Sequence, residues 1–281
     1  YEDDLSSNLG GSYYSLIPYK KGSYNYYYII AFFKNEALNI QYYKLSMMSS
    51  TQNNKLSEKN YQPKNSLNQP GKVMEQGSSC QIMSKNNNDV ITCFFEIDHP
   101  STLSVRSFKI TESNQISEID MNQIYSLNNR ATVIKSQISD DKKIAFICYT
   151  VYSSGAICLQ YNIDNNQFTE EIKYINSCKG TITSMNLYYF REKNSLMVIC
   201  QENGQHNKLT SQTFNSQFEA TVSSEIYQYG EEYCNFDTFN IFYLPYANDL
   251  IIISDISYNG QTFTSGINLS IIREFNVNEL S

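Results

Sequence analysis

Short apolar runs separated by polar turns recur along this chain, and no window keeps the spacing of an amphipathic helix. The clearest run is Ile144 to Ile163, IAFICYTVYSSGAICLQYNI. It reads as an apolar strand, a Ser-Ser-Gly turn and an alternating strand. β-Branched and aromatic residues around a Gly-containing turn predict a β-hairpin. The same hairpin returns at Tyr28 to Phe33, Val90 to Phe94, Leu196 to Cys200 and Leu250 to Ser254. Cys93, Cys148, Cys200 and Ser254 fall at one repeat position, at steps of 55, 52 and 54 residues. The partner strands carry Tyr43, Phe108, Tyr161 and Phe214, at steps of 65, 53 and 53. A fixed period of about 50 residues made of strands predicts a repeat architecture.

Each apolar strand follows a weaker one: SYYSLIP, CQIMS, ATVIKSQ, TSMNLYYF and FNIFYL. A fourth element follows most copies, as in NQISEIDMNQIY and NSQFEATVSSEIY. Four strands per unit, repeated radially, predict an all-β protein: a β-propeller of five four-stranded blades in one domain, residues 1–281. The alternative is a β-sandwich, which does not require equal spacing between equivalent strands. Residues 49–72 lengthen the first interval and contain almost no apolar side chains, which predicts a long protruding polar loop. The last copy has only EFNVNELS left for a fourth strand. Either that segment or the one before Ser12 is expected to complete a blade and cover its edge.

Composition narrows the partners. The 281 residues include 24 Tyr and 15 Phe but no Trp, so large, partly polar rings supply much of the core. A net charge of -7 and a pI near 5.0 argue against a nucleic-acid partner. No segment approaches the roughly 20 apolar residues of a membrane span. The chain opens at Tyr1, which fits either a removed signal peptide or a piece of a longer protein. Asn, Gln and Ser are abundant between the strands, a bias of composition.

The seven cysteines carry the strongest local signal. Cys80 and Cys93 are symmetric about Asn86-Asn87, so one hairpin sets them face to face within disulfide reach. Cys148 and Cys158 are symmetric about Ser153, although a Ser153-Ser154-Gly155 turn would offset them by two. Cys178 and Cys200 flank the first hairpin of the fourth repeat. These three pairs are expected as disulfides in an oxidising, secretory setting, extracellular or at the cell surface. Cys234 is the repeat equivalent of Cys178, but its partner position holds Ser254. It is expected to be unpaired, either buried or joined to another chain. Asn268-Leu269-Ser270 is a sequon, so Asn268 is the expected glycosylation site.

Candidate chemistry is sparse. His99 and His206 have no second ligand at metal spacing, so no metal and no cofactor are expected. G-x-S-x-G, P-loop and H-E-x-x-H patterns are missing from the sequence. Propeller glycosidases need two carboxylates held at fixed separation. The five weak first strands listed above contain no Asp or Glu, so no catalytic residue is expected. The four-stranded units and within-repeat cysteines resemble kelch-like β-propeller ectodomains of protist surface proteins, particularly the Asn- and Gln-rich ciliate type. That resemblance implies a secreted binding and building module without an enzyme site. The expected function is a non-enzymatic extracellular structural or interaction module with protein partners or self-association, one form being the repeating subunit of a filament or coat. A carbohydrate-binding propeller is the alternative, with glycans as partners, and a glycoside hydrolase stands last. Exposed tyrosines at one place in each blade would mark the carbohydrate reading. Tyr27, Tyr28, Tyr43 and Tyr161 fall at strand positions and read as core.

Overall fold

The computed structural model describes residues 14–21, 25–34, 37–44, 55–63, 73–97, 102–127, 131–151, 155–169, 173–202, 208–228, 234–247, 249–258 and 266–272. Apart from one short 3-10 turn at Arg191–Lys193, every regular element among them is a β-strand. No helix among the described residues is long and apolar enough to cross a membrane.

The strands form five antiparallel sheets in chain order. The first contains β1 (Tyr14–Lys21), β2 (Asn25–Lys34), β3 (Ala37–Lys44) and β4 (Lys55–Tyr61). The second contains β5 (Val73–Lys85), β6 (Asn88–Ile97), β7 (Thr102–Ile110) and β8 (Ile116–Ser126). The third contains β9 (Ala131–Ile138), β10 (Ile144–Val151), β11 (Gly155–Asn162) and the short β12 (Gln167–Phe168), with β13 (Lys173–Tyr174) also on β11. The fourth contains β14 (Ile182–Phe190), β15 (Ser195–Glu202), β16 (Lys208–Phe214) and β17 (Ala220–Gln228). The fifth contains β18 (Cys234–Leu244), β19 (Asp249–Tyr258) and β20 (Gly266–Ile272). Within each sheet consecutive strands are neighbours, apart from β13, which pairs with β11, and this is the up-and-down order of propeller blades. The protein is an all-β propeller, not a sandwich. The segments expected to complete the last blade, before Ser12 and after Ile272, lie outside the described residues.

The apolar runs become the second strands of the sheets, and two of them are buried on both faces. From Val90 to Ile97 every residue of β6 is buried, and from Ser195 to Gln201 every residue of β15. Such continuous runs suit strands that are covered on both sides. The turn at Asn86 and Asn87 has φ of 50° and 62°, the left-handed pair that closes a two-residue hairpin. It fixes the register that sets Cys80 opposite Cys93.

One expected loop contains a strand. Within residues 49–72, β4 pairs with β3 through Leu38↔Tyr61, Ile40↔Lys59 and Tyr42↔Ser57. Its inward position is filled by Ser57 instead of an apolar residue, and Lys55 and Glu58 form an ion pair at 2.8 Å on its surface. A strand whose buried position is a serine has too little hydrophobic alternation to stand out from polar sequence.

The chain divides into two compact units, Tyr1–Ala145 with Tyr161–Thr169, and Phe146–Gln160 with Glu170–Ser281. The first is built around Ile29, Leu38, Ile40, Tyr42, Phe95 and Phe108, with Cys80 and Cys93 in the same cluster. In the second, Phe146 stacks on Tyr189 at 5.3 Å and meets Phe218 at 5.6 Å, while Phe214 and Phe218 lie 5.0 Å apart.

Tyr161 of the first unit is fully buried, packs edge-on against Phe94 at 5.6 Å and hydrogen-bonds Asn166 through its hydroxyl. Burial raises its pKa above the ordinary 10.0. A phenol that ionises more easily when unfolded stabilises the fold fully below pH 10, and that contribution falls as pH rises from there towards the folded value. We expect chemical-denaturation stability to drop above pH 10. Tyr161→Phe should flatten that drop, and an unchanged slope in the variant would refute the assignment to Tyr161.

Candidate functional site

Within each unit, first strands of neighbouring sheets meet. In the first unit β5 packs beside β1 and β9, and in the second β14 packs beside β18. These are the innermost strands, where a propeller's sheets converge. Hydrogen bonds tie them together: Ser79 and Ser136 hydroxyls at 2.8 Å, Gln81 Nε2 to the Ser136 carbonyl at 2.8 Å, and Asn186 Nδ2 to Asn240 Oδ1 at 3.5 Å.

Three inner strands break their pairing near the start. In β5 the register jumps between Val73 and Ser78, which pair with Ile97 and Phe95. Residues 74–77, Glu75 among them, therefore bulge opposite the single residue Glu96. In β14 the jump lies between Ile182 and Ser184, leaving Thr183 unpaired in the ladder. In β18 it lies between Phe236 and Thr238, and the residue at the break is Asp237. Thr183 and Asp237 are separated by 54 residues, as are Asn186 and Asn240, so the two bulges occupy one repeat position on adjoining strands. Bulges of this kind re-aim a side chain and often border active sites.

These bulges correct an expectation. Two inner strands carry carboxylates because they start earlier than their alternating pattern suggests. β5 begins at Val73 and includes Glu75; β18 begins at Cys234 and includes Asp237. A broken ladder interrupts the period-2 pattern, and the strand appears to begin only after the break.

In the second unit another carboxylate stands at the same end. Glu202, the last residue of β15, is opposite Ile182 and half-buried. Its Oε1 accepts a hydrogen bond from the Lys179 backbone N–H at 2.7 Å. Thr183 is exposed and donates from Oγ1 to the Gln201 carbonyl at 3.2 Å. Glu96 of the first unit is fully buried, so it cannot touch a ligand.

The disulfides are Cys80–Cys93, Cys148–Cys158 and Cys178–Cys200, with Cα separations of 4.1, 4.0 and 6.4 Å. The first two link adjacent strands. The third ties the crossover before β14 to β15, since Cys200 itself pairs in register with Met185. Cys234 does not mirror Cys178: it is the first residue of β18 and pairs with Tyr258, while Ser254 pairs with Phe239. Its supposed partner position is therefore five residues away along the strand. Asn268 lies inside β20, in register with Ser254. His99 and His206 lie outside the described residues. No group of three or more His, Cys, Asp or Glu suited to a metal occurs among the described residues. The exposed tyrosines, Tyr26, Tyr174 and Tyr246, sit in a second strand, a crossover strand and a turn. They do not repeat at one place in each blade among the described residues. Tyr43 and Tyr161 are buried as expected of core, whereas Tyr27 and Tyr28 are only half-buried.

No protein-family model matches the chain, and no curated protein matches it by sequence. Solved structures do match in fold. A putative exo-beta-1,3-galactanase from Bifidobacterium bifidum superposes with a TM-score of 0.53 at 9% identity, over 92% of this chain and 87% of that one. The NanB sialidase from Streptococcus pneumoniae gives 0.51 at 10% identity, over 87% of this chain and 36% of that one. A triple mutant of AofleA from Arthrobotrys oligospora gives 0.50 at 8% identity, over 92% and 70%. The resemblance to kelch-like protist ectodomains thus holds at the level of the propeller fold. The expectation of a non-enzymatic structural module is corrected: the solved propellers that match include a putative exo-beta-1,3-galactanase and a sialidase, and two inner strands do carry carboxylates, Glu75 and Asp237.

Proposed function

We propose that this protein is a secreted glycoside hydrolase whose chemistry sits where the inner strands begin. The observation that carries the reading is Asp237 at a break in the β18 ladder, beside the equivalent break at Thr183 and on the same end as Glu202. Glycosidic cleavage uses one carboxyl group to protonate the leaving oxygen and another to activate water or attack the sugar. Asp237 and Glu202 are the pair within the second unit. Glu202 is held by its hydrogen bond from Lys179, and exposed Thr183 supplies a hydroxyl at the same rim. The propeller folds of a galactanase and a sialidase support the substrate class. Three disulfides support an oxidising environment, which fits export, with Asn268 as the sequon that such a route would glycosylate.

The test is hydrolysis of a panel of aryl galactosides, arabinosides, xylosides and sialosides, followed by the matching polysaccharides. Turnover of at least one class is expected, and it should be lost in Asp237→Asn. Failure on every substrate by folded, disulfide-intact protein would overturn the reading.

A further inference from the structure

The far ends of β14 and β18 form a cleft of about 180 Å³ walled by Tyr188, Phe190, Tyr243 and Pro245, with Arg191 and Glu192 beside them. From Asp237 to Tyr243 is six residues of strand, about 20 Å at roughly 3.3 Å per residue. The cleft is therefore separate from the proposed catalytic end.

Its wall is a set of mutually braced rings. Tyr188 and Phe190 meet edge to face at 4.9 Å, Phe190 and Tyr243 at 5.3 Å, and Tyr188 and Tyr243 at 6.5 Å. Such edge-to-face contacts hold rings in place without filling the space in front of them. Burial raises the pKa of both tyrosines, most directly by desolvation, so their hydroxyls stay neutral donors and acceptors. Arg191 and Glu192 are exposed on the short turn that follows β14. That turn is pinned by left-handed Asn194, whose N–H donates to the Arg191 carbonyl at 3.3 Å and whose side chain hydrogen-bonds the Tyr189 hydroxyl. Phe242, Leu244 and Tyr246 add exposed apolar surface on the adjoining β18–β19 hairpin.

We propose that this cleft is a second carbohydrate site that takes one neutral pyranose ring. A pyranose offers an apolar C–H face and a rim of hydroxyls. The ring wall suits the face; the guanidinium and carboxylate suit the rim, as both bond paired hydroxyls through two atoms at once. The charges of Arg191 and Glu192 cancel within the lining, which suits a neutral sugar better than an acidic one. The volume is below the roughly 300–1,000 Å³ of sites for drug-sized molecules, so it fits a single ring. The site binds independently of hydrolysis, since it uses neither Asp237 nor Glu202.

Calorimetric titration with D-galactose, D-glucose, D-xylose and D-glucuronate tests this. Millimolar binding of at least one neutral sugar is expected, and weaker binding of glucuronate. Asp237→Asn should keep that affinity. The Arg191→Ala/Glu192→Ala double variant should lose at least tenfold, with unchanged circular dichroism because both side chains are exposed. Tyr243→Phe, which keeps the ring, should lose only a fewfold. Undiminished binding in the double variant, preference for glucuronate, loss in Asp237→Asn, or no binding of any sugar would each overturn the proposal. Binding without hydrolysis would leave this site standing and defeat only the enzymatic reading.

Discussion

Replacing Asp237 with Asn is expected to lower kcat by about 10²- to 10⁴-fold on whichever glycoside the protein cleaves best, with KM changed little. That is the usual contribution of a positioned acid or base in a transition state. Asn keeps the size and one hydrogen-bonding oxygen but can neither hold nor release the proton. The folded state should tolerate the change, because residue 237 falls at a register shift between Phe236 and Thr238 and carries no regular ladder position. The unfolding free energy should therefore change little, by about 1 kcal/mol or less. Glu202→Gln should act in the same direction, and its amide oxygen can still accept from the Lys179 N–H, so a loss of rate would report charge and not the anchoring of the crossover. Glu75→Gln is the control in the first unit, at the bulge opposite Glu96. A full rate in Asp237→Asn together with a collapse in Glu75→Gln would refute the assignment to β18.

What was legible follows from how strongly each element repeats its pattern. The second strands carry the longest apolar runs, which make the hairpins and their turns legible, and Cys80 and Cys93 meet as the Asn86-Asn87 symmetry requires. The inner strands were legible only beyond their bulges. At residues 74–77 and at Asp237 the alternation is broken by the ladder itself, and the carboxylates lie in those breaks. β4 was hidden for a different reason: a serine fills its buried position and lysines and glutamate its surface. Cys234 misled because a step of 56 residues resembles the repeat, yet β18 starts earlier in its blade than β14 does and carries that cysteine inside the sheet. The aromatic cleft left no signal, since its rings belong to strands 54 residues apart that read equally well as core.

Gly155→Ala is expected to destabilise the second unit more than any other single-methyl addition among its described glycines. Gly155 opens β11 with φ of +85°, a conformation that costs an L-residue about 1–3 kcal/mol. A Cβ there would also lie 2.2 Å from the Cys178 carbonyl oxygen and 3.1 Å from the Lys179 Cα. Both are backbone atoms and cannot rotate aside. The Cys178 carbonyl accepts from the Ala156 N–H at 3.1 Å, and Ile175 N–H donates to the Ala156 carbonyl at 3.0 Å, so the methyl group would push apart two hydrogen bonds that dock the crossover on β11. Cys178 is further tethered to Cys200, which prevents the crossover from retreating. Strain and lost hydrogen bonds together should cost about 3 to 5 kcal/mol, at the upper end of single-substitution effects. Gly180→Ala is the contrast. The three atoms nearest its added Cβ all belong to the Glu202 side chain, with Oε2 closest at 3.2 Å, and a side-chain end can move a few tenths of an ångström. That change should cost under about 1 kcal/mol. Urea denaturation of both variants under non-reducing conditions measures the difference, and equal midpoints would show that the crossover is not clamped against β11 at Gly155.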